Sequence, residues 1–372
     1  MYKVCHVTSA HPAFDVRIFE KECVSLAKNN YETYLVQEGE SGEVKGVHIV
    51  GLGKRIENRF KRILLRAFNA YKIAVKIDAD LYHIHDPELL PYALLLKIKN
   101  KIVVFDSHEN YSIQIKNKEY LPCYVSIILS RLYSLLERFV LSRIDALVFP
   151  CTMNGKNPFE GLCKRVHIIS NAAILSEFYN LYDSSNKKVS KQICYVGSIA
   201  EARGVTNNIL AANAAGARIA LAGPVSSLKY FEKLQMNNSF SCVDYKGILN
   251  RKQVAELIAN SNLGLCTLLD VGQYLHLDTF SIKVFEYMSM GIPVLLSNSL
   301  FNCEMIKEHK FGICVDPYNV EEIKEAIKFV LANPSVANEM GMRGRQLVRE
   351  KYNWSIEEQK LLSLYHELLN TV

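Results

Sequence analysis

Residues 281–298, SIKVFEYMSMGIPVLLSN, predict one short helix followed directly by one buried strand. Ser281 suits an N-cap, and Gly291 suits the position just after the helix, where a left-handed backbone is favoured. The apolar run at 292–296 has the length of a fully buried strand. A helix joined to a buried strand by a glycine turn is the repeating unit of α/β proteins, in which helices cover parallel strands.

The same alternation extends in both directions from this stretch. Short β-rich runs alternate with longer amphipathic segments, which predicts mostly parallel, doubly wound sheets with helices on both faces. The predicted strands are 2–8, 32–37, 47–52, 81–85, 101–106, 146–150, 165–170, 192–198, 218–223, 241–247, 263–268, 293–297 and 312–316.

A polar segment, LYDSSNKKVSKQ at 181–192, interrupts this pattern and is predicted to be a linker. The chain of 372 residues is long enough for two domains. We predict a Rossmann-like domain at 1–185, a second at 186–354, and a final helix at 355–372 that returns to the first domain. Open sheets bind ligands beyond the carboxyl ends of their strands, so an interdomain cleft is the expected site.

The composition is that of a soluble globular protein, with 49% hydrophobic and 22% charged residues. A net charge of +6 is too mild for a nucleic-acid-binding protein but suits an anionic ligand or membrane surface. The ten cysteines form no CxxC pair and several lie in apolar runs, which indicates buried thiols in a reducing compartment. Neither a signal peptide nor a transmembrane run is recognisable, so a cytoplasmic location is expected.

Glu286 stands in the middle of the nearly apolar helix, and a buried carboxylate without a partner is costly. One interpretation is a surface glutamate paired with Lys283, three residues earlier. The other is a ligand-binding carboxylate, because Asp278 and the polar loop 270–280 directly precede the helix. The free N–H groups at the helix start suit a phosphate, and the two carboxylates suit sugar and ribose hydroxyls. This second interpretation predicts a nucleotide-sugar site.

The stretch 281–298 also resembles the donor-site signature of the GT-B glycosyltransferases of family 4, the retaining group with an E-x7-E motif. ICYVGSIAEARGV at 193–205, LAGP at 221–224 and YKGILNRKQVAELIANSNLGL at 245–265 resemble this family in the same order. In the first half, FDVRIFEKECVSLAKNNYETYLV, HIHDPELLP and FDSHE resemble a bacterial subgroup that acts on cell-surface polysaccharide. The resemblance implies a GT-B fold of two Rossmann-like domains that face a cleft.

The resemblance implies a role for each matching residue. Glu286 matches the glutamate that holds the donor's ribose hydroxyls, and Asp278 stands where the glutamate that contacts the transferred sugar is expected. Arg203 matches the basic residue that neutralises the diphosphate. Where the family often has a second basic residue this chain has Ser198, and we expect Lys283 to supply that charge. The donor-binding residues expected are Gly197, Ser198, Arg203, Gly223, Ile248, Ser281, Lys283 and Glu286.

Two segments of the first half are predicted to contact the acceptor. FDSHE follows a predicted strand, and the resemblance implies that His108 lies near the reacting carbon; the alternative is a capping aspartate beside a surface histidine. TSAHPAFDVR at 8–17 is the first β–α loop, which normally approaches the ligand, and the alternative is a salt-bridged helix start. The acceptor-side candidates are His11, Asp15, Arg17, Asp106 and Glu109.

HIHDPELL places His83 and His85 on one face of a strand, followed by Asp86 at the start of a helix. An HxH pattern followed by aspartate is able to ligate zinc. No fourth ligand is apparent in the sequence, and the resemblance implies a transferase that needs neither a metal nor a cofactor. The preferred interpretation is that His85 and Asp86 line the expected cleft or stabilise the fold.

Residues 53–76 combine many basic side chains and one acid, Glu57, with interleaved Ile, Leu and Phe. A basic amphipathic helix of this kind suits an anionic membrane surface, although an ordinary solvated helix face has the same pattern. The segment 124–144 has a broad apolar face that fits either the core or a second membrane-facing patch. A peripheral position on the inner face of the cell membrane would agree with lipid-linked acceptors, which many enzymes of this class use.

The expected function is therefore retaining transfer of a sugar from a UDP- or GDP-linked donor to a glycan or lipid-linked acceptor, in the synthesis of capsule, O-antigen or exopolysaccharide. The residues expected at the reaction are His108, Asp278 and Glu286. The resemblance implies front-face substitution assisted by the leaving phosphate, while Asp106 and Asp278 are formal candidates for a covalent route. Two rival functions are a nucleotide-sugar epimerase and an inactive subunit that only binds the nucleotide sugar. Nucleic acid is not an expected partner.

Overall fold

The computed structural model describes residues 1–54, 62–116, 122–182 and 190–370. The chain divides into two compact units: Met1–Asn171 with Ser355–Val372, and Ala172–Trp354. The division therefore falls at Asn171 and not at the predicted 185, because Phe178 packs in the second unit's core. Most of the predicted linker, 183–189, lies outside the described residues. The final helix, by contrast, counts with the first unit from Ser355 onward.

The first unit contains an eight-stranded sheet in the order β3-β4-β2-β1-β5-β6-β7-β8. All neighbours are parallel except β3 and β4, and β3 is a strand that the sequence analysis did not predict. The predicted strands of this half are confirmed. The bounds are β1 Lys3–Val7, β2 Glu32–Gln37, β3 Gly42–Val44, β4 Val47–Gly51, β5 Leu81–Ile84, β6 Ile102–Asp106, β7 Ala146–Phe149 and β8 Val166–Ile168.

Helices follow most of these strands. The first begins as a π-helical segment, Val16–Cys23, in which the Asp15 side chain accepts hydrogen bonds from the backbone N–H groups of Arg17 and Ile18. A second π-helical segment, Arg62–Arg66, precedes α2. The α-helices are α1 Val24–Lys28, α2 Ala67–Ile77, α3 Leu90–Ile98, α4 Tyr111–Lys116, α5 Cys123–Leu141 and, from the end of the chain, α14 Trp354–Asn370.

The second unit contains a fully parallel six-stranded sheet in the order β11-β10-β9-β12-β13-β14. Alternate residues of each strand face opposite sides. Cys194 therefore packs in one core, whereas Ile193 and Tyr195 pack in the other. The bounds are β9 Gln192–Val196, β10 Arg218–Ala222, β11 Val243–Tyr245, β12 Gly264–Cys266, β13 Val294–Ser297 and β14 Gly312–Val315.

The stretch 281–298 folds as predicted. Its helix, α10, covers Ile282–Ser289 with Ser281 at the N-cap, and Gly291 has φ +66° just after the helix. The other helices of this unit are α6 Leu175–Phe178, α7 Val205–Ala214, α8 Leu228–Gln235, α9 Arg251–Ala259, α11 Leu300–His309, α12 Val320–Ala332 and α13 Pro334–Glu350. The first sheet is mostly parallel, the second is fully parallel, and helices cover both, which confirms the predicted two-domain α/β fold class.

None of the helices within the described ranges combines the length and the hydropathy that a membrane span requires. In each sheet the strand order reverses direction once near the middle, between β1 and β5 in the first unit and between β9 and β12 in the second. Loops diverge at such a reversal and leave a crevice beyond the carboxyl ends of the strands. Most of the predicted site residues follow these strands.

Candidate functional site

In the second unit, two glycines shape the crevice beyond β9. Gly197, at the end of β9, has φ +135°, and Gly223, at the end of β10, has φ +141°. A Cβ atom on Gly223 would lie 2.0 Å from the carbonyl oxygen of Gly197, so the two loop backbones approach as closely as glycine alone permits. Side chains are thus excluded at this point, and the loop backbone is accessible to a bound group.

The side chain of Lys283, in the first turn of α10, is directed at Gly197. A Cβ atom on Gly197 would meet Lys283 Nζ at 2.9 Å, and Nζ lies 3.8 Å from the centre of the Tyr195 ring. The side chain is 7% exposed, and among the described residues none accepts a hydrogen bond from Nζ. Burial lowers the pKa of Lys283 to about 8. A buried ammonium without an acceptor costs free energy that an anionic ligand would recover.

Arg203 lies in the same crevice, in a short 3₁₀ turn that ends at Gly204. Its guanidinium stacks 4.6 Å from the centre of the Tyr274 ring, and its positive charge contributes to the lowered pKa of Lys283. Ser198, which replaces the second basic residue, has its hydroxyl 2.5 Å from that of Ser226. Two cations, Lys283 and Arg203, therefore border one crevice.

Glu286 is buried and paired, but with a partner that the sequence analysis missed. Arg251 Nη1 donates to Glu286 Oε1 at 2.7 Å, and Arg251 Nη2 also donates to Glu177. The expected alternative, a pair between Glu286 and Lys283, is wrong. Arg251 is the first residue of α9, where the helix dipole disfavours a positive charge. That unfavourable placement was the one signal in the sequence that Arg251 has a special role.

The remaining donor-side candidates differ in how far their side chains are exposed to solvent. Asp278 is half-buried, and its neighbours Leu277 and Thr279 line a pocket together with Cys266 and Ser281. Ser281 stands at the N-cap of α10, although its side chain makes no capping hydrogen bond to the helix. Ile248, in contrast, is 77% exposed.

In the first unit, Arg17 and Asp106 form a buried two-point ion pair. Arg17 Nε and Nη2 donate to the two carboxylate oxygens of Asp106 at 2.8 and 3.0 Å, and Nη1 donates to the carbonyl of Ile169 at 3.1 Å. Burial alone would raise the pKa of Asp106, but Arg17 and His108 hold it well below its usual range. Arg17 is only 3% exposed, so it is committed to the protein and not to an external phosphate.

His108 extends this ion pair towards the surface. Its Nε2 lies 3.4 Å from Asp106 Oδ2 and 3.2 Å from His85 Nδ1, and its side chain is 15% exposed. Asp106 therefore does not cap a helix, which was the alternative, but faces two histidines. Glu109, the residue after His108, accepts a hydrogen bond from Gln114. A partly exposed histidine beside a buried carboxylate is suited to orienting an acceptor hydroxyl.

Asp86 organises the first β–α loop. Its carboxylate accepts hydrogen bonds from the Thr8 hydroxyl and from the backbone N–H groups of Ser9 and Ala10, and it pairs with His11 Nδ1 at 2.9 Å. Burial alone would raise its pKa, but these partners, with His11 foremost, lower it. Asp86, which follows β5, thus fixes the loop after the neighbouring strand β1. Its side chain does not cap the helical turn that begins at Pro87.

The two candidate membrane-facing segments are 53–76 and 124–144, and the structure describes part of the first and all of the second. Arg66 is buried, where it donates to the carbonyl of Lys54 at 3.0 Å, so it is not a surface charge. Much of the basic pattern, 55–61, lies outside the described residues. The apolar face of α5 is exposed and does not belong to the core. It presents Tyr124, Ile128, Leu129, Leu132, Leu135 and Phe139, all at least 42% exposed.

Comparison with known proteins agrees with this fold. Residues 182–347 match the family described as Glycosyl transferases group 1. Sucrose synthase from Solanum tuberosum is 30% identical over 91 residues, which are 23% of this chain and 11% of that relative. The match thus spans about a tenth of the curated relative's length.

Two solved structures share the fold along the chain. Sucrose-phosphate synthase from Thermosynechococcus elongatus has a TM-score of 0.79 at 16% identity and covers 100% of both chains. Anabaena Alr3699/HepE in complex with UDP and glucose has a TM-score of 0.69 at 11% identity, covering 99% of this chain and 100% of that one. These findings support a glycosyltransferase. The chain has the GT-B glycosyltransferase fold, and its residues 182–347 are similar to the group 1 glycosyl transferases.

Proposed function

We propose that this chain is a retaining glycosyltransferase of family 4. It transfers a sugar from a nucleoside-diphosphate sugar, UDP- or GDP-linked, to a glycan or lipid-linked acceptor of a cell-surface polysaccharide. The observation that carries the proposal is Lys283, a buried ammonium directed at the glycine loop after β9. The similarity of the fold to a protein solved with UDP and glucose supports a UDP-linked donor.

The charges around the crevice suit a leaving diphosphate. As the bond between the sugar and the diphosphate breaks, negative charge accumulates on the phosphate oxygens. Lys283, Arg203 and the N-terminal N–H groups of α10 lie where they would stabilise that charge more strongly than the charge of the intact donor. Stabilisation of the leaving group alone lowers the barrier, so this step needs no protein nucleophile.

Glu286 is assigned to the ribose of the donor and Asp278 to the transferred sugar. The Arg251 ion pair fixes the orientation of Glu286, which a carboxylate needs in order to accept from two ribose hydroxyls. In the first unit, His108 is assigned to the acceptor, and the buried Arg17–Asp106 pair is assigned to holding His108 in position. The neutral acceptor hydroxyl would donate to His108 or to the departing phosphate.

Nucleotide binding tests the donor site directly. The melting temperature is measured with UDP, GDP, ADP and CMP for the wild type, Glu286→Ala and Lys283→Met, with Glu256→Ala on an exposed position of α9 as a control. A ligand at about 100 times its Kd stabilises by about 2.7 kcal/mol, a shift of a few degrees. We expect one nucleotide to shift the wild type and the control but neither site variant. The absence of any shift in the wild type would contradict the proposal.

Product analysis separates the rival functions. A transferase releases the nucleoside diphosphate only in proportion to the glycan formed on an added acceptor, whereas an epimerase converts the donor alone. A binding subunit shows the melting shift without turnover. We expect acceptor-dependent release that is lost in Glu286→Ala.

We further propose that the exposed apolar face of α5 holds the enzyme on the membrane that carries its acceptor. Tyr124, Leu132, Leu135 and Phe139 are each 49–68% exposed, and Arg138 and Arg143 lie on or just after the same helix. Aromatic and aliphatic side chains flanked by arginine are suited to an anionic interface. Leu64 and Leu65, 67% and 60% exposed, extend the exposed apolar surface of this unit.

A further inference from the structure

Four buried side chains of the first unit direct potential metal ligands at one another. They are His6 on β1, Glu22 in the π-helical segment, and His83 and His85 on or just after β5. All four are 0% exposed, and one ligand atom from each lies within 4.8 Å of the other three. Sequence reasoning found only His83 and His85, because the other two ligands come from distant parts of the chain.

The distances fit a divalent ion. His6 Nδ1 and His85 Nε2 are 2.9 Å apart, and Glu22 Oε2 lies 3.7 Å from the first and 3.8 Å from the second. Three atoms at these separations lie about 2.0 Å from a common centre, which is the length of zinc–nitrogen and zinc–oxygen bonds. His83 Nε2 completes a set of four ligands.

The hydrogen bonds within the protein satisfy only part of this cluster, because His6 Nδ1 and His85 Nε2 bond to each other. Neither oxygen of Glu22 nor Nε2 of His83 has a hydrogen-bond partner among the described residues. Two buried side chains with atoms that accept no hydrogen bond at the same place are uncommon, because each unsatisfied group costs free energy. A bound cation would satisfy the carboxylate and the imidazole together.

The outer nitrogen of each histidine already has a partner. His6 Nε2 lies 2.9 Å and His83 Nδ1 2.8 Å from the Tyr365 hydroxyl, and His85 Nδ1 lies 3.5 Å from Asp106 Oδ2. Metal-bound histidines usually donate their other N–H group to such a second partner, which fixes the ring and its tautomer. Glu22 Oε1 forms an ion pair with Arg17, 3.2 Å from its Nε atom. The other oxygen, Oε2, is the one that faces the histidines.

We propose that His6, Glu22, His83 and His85 bind one divalent transition-metal ion of the zinc type. Three imidazoles and one carboxylate are ligands that zinc prefers. Four protein ligands without solvent exposure define a closed, structural site with no position for a substrate. The ion would connect β1, β5 and the π-helical segment, and through Tyr365 it would anchor α14. It would also fix His85, and hence His108, without taking part in the sugar transfer.

Metal content tests this proposal. The full chain is purified through a tag that contains no histidine, dialysed against micromolar zinc, freed of loose ions on a desalting column and analysed by elemental mass spectrometry. We expect about one zinc ion per wild-type chain, and a loss of at least tenfold in the content of Glu22→Gln and His83→Gln. His48→Gln, which replaces an exposed histidine of the same unit, is expected to retain the ion.

A second measurement guards against variants that fail to fold. The wild type is stripped with a chelator and melted with and without zinc, and X-ray absorption at the zinc edge reports the ligands. We expect zinc to raise the melting temperature by several degrees, and a first shell of nitrogen and oxygen atoms at about 2.0–2.1 Å. A wild type that retains no ion and whose melting is indifferent to zinc would overturn the proposal. An ion that persists unchanged in both ligand variants would overturn it as well.

Discussion

Arg251 Nη1 donates a 2.7 Å hydrogen bond to Glu286 Oε1, and this contact joins the start of α9 to the middle of α10. Glu286 is 5% exposed, whereas the Arg251 side chain is 45% exposed and stacks on Phe178. The pair therefore has one end in the core and one end in solvent. It holds the Glu286 carboxylate in place where a ligand is expected to meet it.

Replacement of Arg251 tests this relationship. Arg251→Met leaves a buried carboxylate without its cation, so we expect the protein to lose about 1 kcal/mol of stability and to bind the nucleotide more weakly. Urea denaturation and calorimetric titration with the nucleotide identified by thermal shift measure the two effects. Lys252→Met, the adjacent exposed lysine, should change neither. Unaltered nucleotide affinity in Arg251→Met would separate the ion pair from the donor site.

Lys283 predicts a pH dependence of nucleotide binding. Burial lowers its pKa to about 8, so the free protein loses the ammonium as the pH rises through that value. The diphosphate binds the charged form, and its Kd should therefore increase above about pH 8, by no more than tenfold per pH unit. Titrations from about pH 7 to about pH 9.5 measure this trend. Lys283→Met should bind weakly with a flat profile, and a wild-type profile equally flat would refute the assignment.

The close approach of two loops at Gly223 predicts that Gly223→Ala lowers the stability of the fold more than Gly216→Ala does. A Cβ atom at Gly223 would lie 2.0 Å from the Gly197 carbonyl oxygen, whereas Gly216, at φ +66°, has no neighbouring atom within 4 Å of that position. Gly216→Ala should cost about 1 kcal/mol through backbone strain alone, and Gly223→Ala at least about 3 kcal/mol. Chemical denaturation of both variants provides the comparison. Equal losses would mean that the two loops separate easily.

Glu137 predicts a pH dependence of folding. It is 4% exposed on α5, and burial raises its pKa from 4.5 to about 7 despite a hydrogen bond from Tyr133. Between these two pH values the folded chain holds a proton that the unfolded chain has lost. Stability therefore falls as the pH rises from about 4.5 to about 7, by an amount on the order of 2 kcal/mol. Glu137→Gln should remove this component of the profile in denaturation measured across that range.

The face of α5 predicts a measurable affinity for anionic membranes. Leu132→Asp combined with Leu135→Asp places two carboxylates on residues that are 57% and 66% exposed, so the fold should tolerate them. We expect vesicles containing anionic lipid to co-sediment the wild type and not this variant. Met236→Asp, at an 83% exposed position of the second unit, serves as the matched control. Equal sedimentation of the two variants would assign the binding to another surface.

Much of the fold follows from local sequence. The apolar runs and the turns between them predict the strands, and β3 was missed because its three residues, Gly42–Val44, are all exposed and carry no apolar run. The unit boundary was misplaced because the polar segment near 185 is conspicuous, whereas the packing of Phe178 under α9 leaves no local trace. Composition marks a linker but does not say which core the flanking residues enter.

The sequence by itself determined the alternation of strands and helices, the N-cap at Ser281, the glycine turn at Gly291, and that Glu286 needed a partner. Those features depend on residues within a few positions of one another, through backbone periodicity and turn geometry. Only the tertiary structure decided that the partner is Arg251, that Lys283 is buried beside Gly197, and that His6 and Glu22 meet His83 and His85. Such contacts depend on the order of strands in the sheet, which brings together residues far apart in the chain, and no local pattern encodes that order.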